Sequence, residues 1–439
     1  MTATKRAGFD FELLDLDAHE QPAQETELYL ANHRFDVVAM GCIVTGYRFV
    51  KRLSLAVKKA FPDTTVIVGN TVASSISEIL LTRTGADIAV CGEGDITLVE
   101  LLQGLSAGED IKEVSGICYL RDNKVICSLP RPPIDKVDEI TFPDWDSFDL
   151  EPYIESLRAS LNEPLPPIPR NQIRPMPINT ARGCPYNCTF CYHAFRGYRY
   201  RPRSPESIIA EIEYLRDKYG VNYIAFNDEL TLFSIYQAED FVERLLSSNV
   251  KIYWRANCRS GLFNKDEHVN TVRKLKEAGC LALSFSLESA DSDILNWMGK
   301  KVSPGAFSRQ VEILREGGLP ALTSIVIGYP NETPLTIRST IDCCIQNGIY
   351  PSAGYLLPQP GTPMYEYALE HGYIKDEEEY LLSMNDRQNF QINMTQMTDE
   401  EFQAVVESEL ARCSRELGLE LSGPSLLKTG HYRVPKIPR

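Results

Sequence analysis

The sequence predicts an α/β protein of two successive parts, a doubly wound α/β domain and then a partial (β/α)6 barrel with a helical tail. Three observations carry this. Apolar runs of strand length alternate with helical patterns over the first part of the chain. A proline-rich stretch, "LNEPLPPIPRNQIRPMP", interrupts the alternation, and proline, lacking an N–H, suits neither a helix interior nor a central strand. Beyond it, strand followed by helix recurs at a spacing of about thirty residues, the length of one right-handed βα unit.

Taken in order, the opening "MTATKRAGFDFELLDLDAHE" reads as an amphipathic helix start followed by a strand over residues 11–17. "FDVVAMGCIV" (35–44) is a continuous apolar run, the pattern of a parallel strand covered on both faces. A helical pattern at 47–61, a strand at 64–70, a helix near 74–84, a strand at 86–95 ending in a Gly-rich turn and a helix at "ITLVELLQGL" complete a Rossmann-like domain. Its ligands belong beyond the carboxyl ends of the strands. "GICYLRDNKVICS" reads as a hairpin turning near Asp122 and Asn123. The parts divide as 1–135 for the first domain, 136–175 for the connector, 176–365 for the barrel and 366–439 for a C-terminal helical extension with a helix near 398–417. Barrel strands fall near 177–181, 222–227, 251–257, 281–287, 322–327 and 352–357, and a barrel's site lies in the loops at their carboxyl ends.

Composition narrows the function. Lys and Arg number 45 against 60 Asp and Glu, a net charge of −15, which makes a poor general binder of nucleic acid. The local exception is "FRGYRYRPR" (195–203), equally readable as an anion contact or as a solvated loop. No apolar run is long enough to span a bilayer and no signal-peptide core opens the chain, so a cytoplasmic protein is expected. Of twelve cysteines, Cys42, Cys118 and Cys280 sit singly in apolar runs, and Cys343 and Cys344 lie in a helical pattern; all five read as buried free thiols.

The stretch "NTARGCPYNCTFCYH" (179–193) differs. Cys184, Cys188 and Cys191 follow the first barrel strand around a tight loop. Three thiolates can hold a cubane iron–sulfur cluster and leave one iron open for a ligand; the same three with His193 could close a structural zinc site.

"CPYNCTFC" resembles the CxxxCxxC motif of the radical SAM superfamily, and further segments resemble that superfamily in order at barrel spacing: "FNDELTL", "SFSLESADSDILNWMGKK", "SIVIGYPNETP" and "LLPQPGTPMY". The resemblance implies a 4Fe–4S cluster on Cys184, Cys188 and Cys191, whose open iron chelates S-adenosylmethionine and whose electron cleaves it to a 5′-deoxyadenosyl radical. It implies cofactor contacts at Tyr192, at Asp228 or Glu229 for the amino group, at Ser286 and Glu288 for the ribose and methionine part, and at Gly328 beside adenine. Arg259 reads either as a partner of the cofactor carboxylate or as a surface ion-pair residue. A one-electron reductant such as flavodoxin or ferredoxin is implied as partner, with a small-molecule substrate and neither membrane nor nucleic acid.

The first domain resembles that of cobalamin-binding members, in "ELLDLDAH", "FDVVAMGCIVTGYRFV", "TVIVGN" and "DIAVCGEGDITLVELL". The resemblance implies cobalamin near Gly41, Thr45, Gly46, Gly69, Gly92 and Glu93. The usual opening strand is missing and so is the DxHxxG motif; Asp17 and His19 match part of it but follow the wrong strand, so cobalamin would be held without a histidine ligand. The expected activity is cobalamin-dependent methyl transfer to an unactivated carbon, or phosphorus, of a small metabolite. A radical SAM cyclase, dehydratase or rearrangement enzyme with a vestigial cobalamin domain is the alternative, and a structural zinc-binding module is the alternative from another class.

Overall fold

A computed structural model describes residues 1–16, 23–161, 164–192 and 194–427. The chain forms two compact units. One comprises Met1–Pro152, Cys191–Tyr198 and Pro358–Asp386; the other comprises Tyr153–Phe190, Arg199–Leu357 and the chain from Arg387 onward.

The first unit is built on a sheet of β1 (Val37–Gly41), β2 (Thr65–Gly69), β3 (Ile88–Val90), β4 (Ile117–Arg121) and β5 (Lys124–Cys127), in that order. The first three are parallel and the last two form an antiparallel hairpin. Helix Tyr47–Ala60 crosses from β1 to β2, and Thr71–Ser75 with Ser77–Arg83 from β2 to β3. Ile67, Ile88, Val90, Leu101, Ile117 and Tyr119 close the core between the sheet and helix Gly94–Ala107. The hairpin turns at Asp122 and Asn123, with φ of 50° and 58°. A two-residue turn with both φ positive matches the twist of paired strands, and Asp and Asn tolerate that conformation best after glycine.

Four expectations need correction here. Residues 11–16 form no strand: Phe11 and Leu13 are 39% and 37% exposed, and alternation alone makes no strand without a ladder to join. β1, expected to be covered on both faces, is an edge strand whose residues are part-exposed. Cys118 is not a free thiol, because it faces Cys127 across the hairpin and is bonded to it. Cys280, Cys343 and Cys344 are buried free thiols, whereas Cys42 is only half-buried.

The second unit holds the barrel. Its parallel strands run in the order β12 (Ala321–Leu322), β11 (Cys280–Ser284), β10 (Tyr253–Asn257), β9 (Tyr223–Phe226) and β6 (Pro175–Ile178). A second parallel pair, β13 (Ser324–Ile327) and β14 (Ser352–Tyr355), continues the arc. The fifth repeat is thus split at Thr323, whose hydroxyl accepts from Leu287 N at 3.1 Å and donates to Phe285 O at 2.9 Å. Serine or threonine begins four of the outer helices: Ser204, Ser234, Ser303 and Thr333 each accept from the N–H three residues on, and proline follows three of them. Trp254, Phe226 and Phe241 pack edge-on beneath β9 and β10. Helix Asp399–Glu416 places Phe402 against Tyr355 and next to Gly328. Among the described residues no helix is long and apolar enough to cross a membrane.

Candidate cofactor sites

The cysteine loop leaves the barrel through a two-residue ladder of β7 (Ala181–Arg182) with β8 (Arg201–Pro202). Asp228, just past β9, holds the base of that ladder. Its carboxylate accepts from Thr180 N at 2.7 Å, Thr180 Oγ1 at 2.6 Å and Ala181 N at 3.1 Å. Burial raises the Asp228 pKa and these donors pull it back. Thr189, inside the loop, donates its N–H to Met298 O at 2.9 Å and bonds through its hydroxyl to Trp297 O and to Tyr329 OH. The Arg259 guanidinium lies 3.6 Å from the centre of the Tyr186 ring and donates to Lys301 O. Loops following β10, β11 and β13 therefore grip the segment carrying Cys184 and Cys188. Both thiols are half-buried, and burial raises the Cys184 pKa despite the Tyr186 N–H and the Arg259 charge.

Inside the barrel is a cavity of about 520 Å³ lined by Glu229, Asn257, Ser286 and Glu288 among others. Drug-sized ligands occupy pockets of roughly 300–1,000 Å³. Glu288 is 5% exposed and has a φ of 60°. Its backbone leaves β11 and bridges to Ile325 of β13, which fixes that conformation. One carboxylate oxygen pairs with Lys300 Nζ at 2.5 Å; the other is buried and has no hydrogen-bond partner. Ser286 Oγ accepts from Ser324 Oγ at 2.9 Å. Gly328, with φ 117°, donates to Glu332, and a Cβ there would come 3.2 Å from Phe402.

The residues singled out in the sequence separate into groups. Glu229, Ser286 and Glu288 share the cavity, whereas Asp228 spends its oxygens on the ladder. Tyr192 belongs to the first unit, where it bonds to Ser74, lies beside Cys91 and packs on Gly361; burial pushes its pKa up to about 12. Also in that unit, Gly41 and Gly69 are register partners at the ends of β1 and β2, and Gly92 follows β3. A Cβ on any of the three would meet nothing within 4 Å. Gly46 has another cause, since a Cβ there would lie 2.3 Å from Cys42 Sγ. Thr45 sits in the short turn Val44–Gly46, and the Glu93 carboxylate accepts from Ile134 N at 2.5 Å. His19, Asp17 and His193 lie outside the described residues. Lys300 and Tyr329 escaped the sequence reading although both stand in segments quoted for their resemblance; only their partners mark them.

Comparison with known proteins decides what the arrangement is. The model of the radical SAM superfamily matches residues 178–344, and that of the B12 binding domain matches residues 1–102. The chain belongs to the radical SAM superfamily, in its cobalamin-binding group. An uncharacterized methyltransferase of Pyrococcus horikoshii is 32% identical over 291 residues, 66% of this chain and 59% of the relative. An anaerobic magnesium-protoporphyrin IX monomethyl ester cyclase of Rubrivivax gelatinosus is 27% identical over 310 residues, 70% of this chain and 53% of that protein. The chain thus spans a little over half the length of these relatives. Among solved structures, the radical SAM methyltransferase TsrM of Kitasatospora setae superposes with a TM-score of 0.65 at 20% identity, covering 85% of this chain and 72% of TsrM. The cobalamin-dependent radical enzyme OxsB gives 0.63 at 15% identity, covering 93% and 56%. At such identities these two establish the fold.

The radical SAM cofactors are a 4Fe–4S cluster and S-adenosylmethionine, and the B12 binding domain adds cobalamin. The residues fit them. Three thiols on one tight loop are the donor set of a cluster with one open iron. Among the described residues no three His, Cys, Asp or Glu side chains are gathered closely enough for a single metal ion, and ligands around a cubane stand further apart than ligands to one ion. The orphaned Glu288 oxygen is an acceptor awaiting a donor, such as a ribose hydroxyl or an ammonium. Gly41, Gly69 and Gly92, at or just past strand ends, have open space where a Cβ would stand, so nothing in the chain fills that place.

Proposed function

We propose that the chain is a cobalamin-dependent radical SAM methyltransferase acting on an unactivated carbon of a small molecule. The observation that carries this reading is the methyltransferase of 32% identity, which matches two-thirds of this chain. A cytidylyl-2-hydroxyethylphosphonate methyltransferase of Streptomyces wedmorensis, 24% identical over 371 residues, supports it. When bound, the cluster and S-adenosylmethionine supply one-electron cleavage and cobalamin supplies a methyl carrier.

In this reading Cys184, Cys188 and Cys191 hold the cluster. Glu229 and Glu288 receive the ammonium and ribose donors of S-adenosylmethionine, with Ser286 beside them, and the backbone at Gly328, packed on Phe402, runs beside adenine. Asp228 keeps the cysteine loop in place, and Arg259 stiffens it through Tyr186. Tyr192 serves the first unit. Gly41, Gly69 and Gly92 face cobalamin. A cytoplasmic setting and a flavodoxin or ferredoxin as reductant belong to the same proposal.

The test is cofactor content followed by product analysis. Protein purified without oxygen should hold iron and sulfide in equal amounts and take up cobalamin. With S-adenosylmethionine and a reductant it should release S-adenosylhomocysteine. Zinc without iron would overturn the reading altogether. Iron without cobalamin uptake, with 5′-deoxyadenosine as the sole nucleoside product, would turn it toward the cyclase-like reaction of the relative in Rubrivivax gelatinosus.

A further inference from the structure

The interior of a βα barrel is ordinarily filled by layers of bulky branched side chains. This one is not. Arg255 of β10 has Ala225 on one side and Ala282 on the other. The next layers pair Asn257 with Ser284 and Ser324 with Ser352. These small side chains leave the cavity open around an arginine. Arg255 Nη2 donates to Pro164 O at 2.6 Å, which fixes the direction of the guanidinium.

A second arginine enters the same cavity. Arg387 O accepts from Tyr355 N at 2.8 Å, so its backbone runs along β14. Its side chain then crosses Gly354, where a Cβ would lie 3.0 Å from Arg387 Cδ. A glycine within a strand often marks such a close approach. The acidic residues lining the cavity are Glu229 and Glu288, and Glu288 is already tied to Lys300. Both stand past the ends of their strands, whereas Arg255 lies within β10. The carboxylates are at the mouth and a guanidinium is inside. Ser352 Oγ, also on the lining, is buried without a hydrogen-bond partner.

We propose that this interior binds an oxyanion of the substrate, a carboxylate or a phosph(on)ate, through Arg255 and Arg387. Guanidinium forks match such groups in a bidentate manner. The proposal rests on the radical SAM reading of the barrel, because S-adenosylmethionine then takes the acidic mouth and leaves the arginines to the substrate.

The probes are inorganic phosphate, methylphosphonate and acetate, titrated into cluster-loaded protein, with choline as the cationic control. S-Adenosylhomocysteine affinity is measured beside them. Arg255→Met and Arg387→Met should each weaken oxyanion binding by about tenfold or more, with S-adenosylhomocysteine affinity unchanged. Gly354→Ala, which displaces Arg387 while keeping its charge, should give the same loss, so the result does not hang on one variant folding. Equal oxyanion binding in wild type and all variants overturns the proposal, as does no oxyanion binding by the wild type. A parallel loss of S-adenosylhomocysteine affinity also overturns it, since the arginines would then serve the cofactor. Failure of the radical SAM reading looks different: no iron and no S-adenosylhomocysteine binding in the wild type.

Discussion

Glu288 divides its carboxylate between structure and ligand. Its pairing with Lys300 is almost entirely buried, the two side chains being 5% and 12% exposed. Removing one partner of such a pair strands the other charge away from water. Lys300→Met should therefore destabilise the protein by roughly 3 kcal/mol in anaerobic urea unfolding. Glu288→Gln should instead leave iron content intact and weaken S-adenosylmethionine binding by about tenfold, since a charge-assisted acceptor is lost from a buried position. If affinity is unchanged, the unpartnered oxygen has another purpose. The left-handed backbone of Glu288 supports a functional reading, because strain of this kind in a non-glycine residue persists only where neighbouring structure imposes it.

Among the elements, the turn after β13 shows how a buried acid sets a loop. Glu332 is 3% exposed; its carboxylate accepts from Thr336 Oγ1 at 2.6 Å and from Gly328 N at 3.3 Å. Burial nevertheless lifts its pKa from 4.5 to about 7. The folded chain thus binds this proton more tightly than the unfolded chain, and its contribution to stability is full below pH 4.5 and lost as pH rises through about 7. Glu332→Gln should flatten that part of the stability profile, by an amount on the order of 3 kcal/mol across the window. Parallel thermal melts from pH 5 to pH 8 (about the range a neutral buffer set covers) check this; matching slopes for variant and wild type would remove the assignment. Such detail was not legible beforehand, whereas the elements largely were. Asp122 and Asn123 announce their turn because two-residue hairpins need positive φ, and the recurrent Ser or Thr caps mark the barrel helices. Residues 11–16 misled because alternation reports a pattern but not a partner strand. Arg387 was invisible because it enters the barrel from a segment far along the chain, and only Gly354 in β14 hints at the approach.

For the whole molecule, the decisive property is what the first unit offers cobalt. His33 stacks on Tyr29 at the amino end of β1, away from the glycine rim, and DxHxxG is absent from the sequence. Bound cobalamin should therefore show the absorption of a corrin without protein histidine beneath the metal. A histidine-ligated spectrum in the reconstituted protein would refute this. The cysteine motif was the most legible part of the site, since three spaced thiols have few other uses. The surroundings of Tyr192 were not, because its neighbours Ser74, Cys91 and Gly361 are far from it in sequence. The sparse lining of the barrel has an evolutionary side. Ala225 and Ala282 line the chamber on either side of Arg255, so exchanging either for a larger residue would reshape the chamber without dismantling the walls. A lineage could move from one acceptor molecule to another by single substitutions there, and a laboratory wishing to retarget the catalyst has its first two positions to randomise.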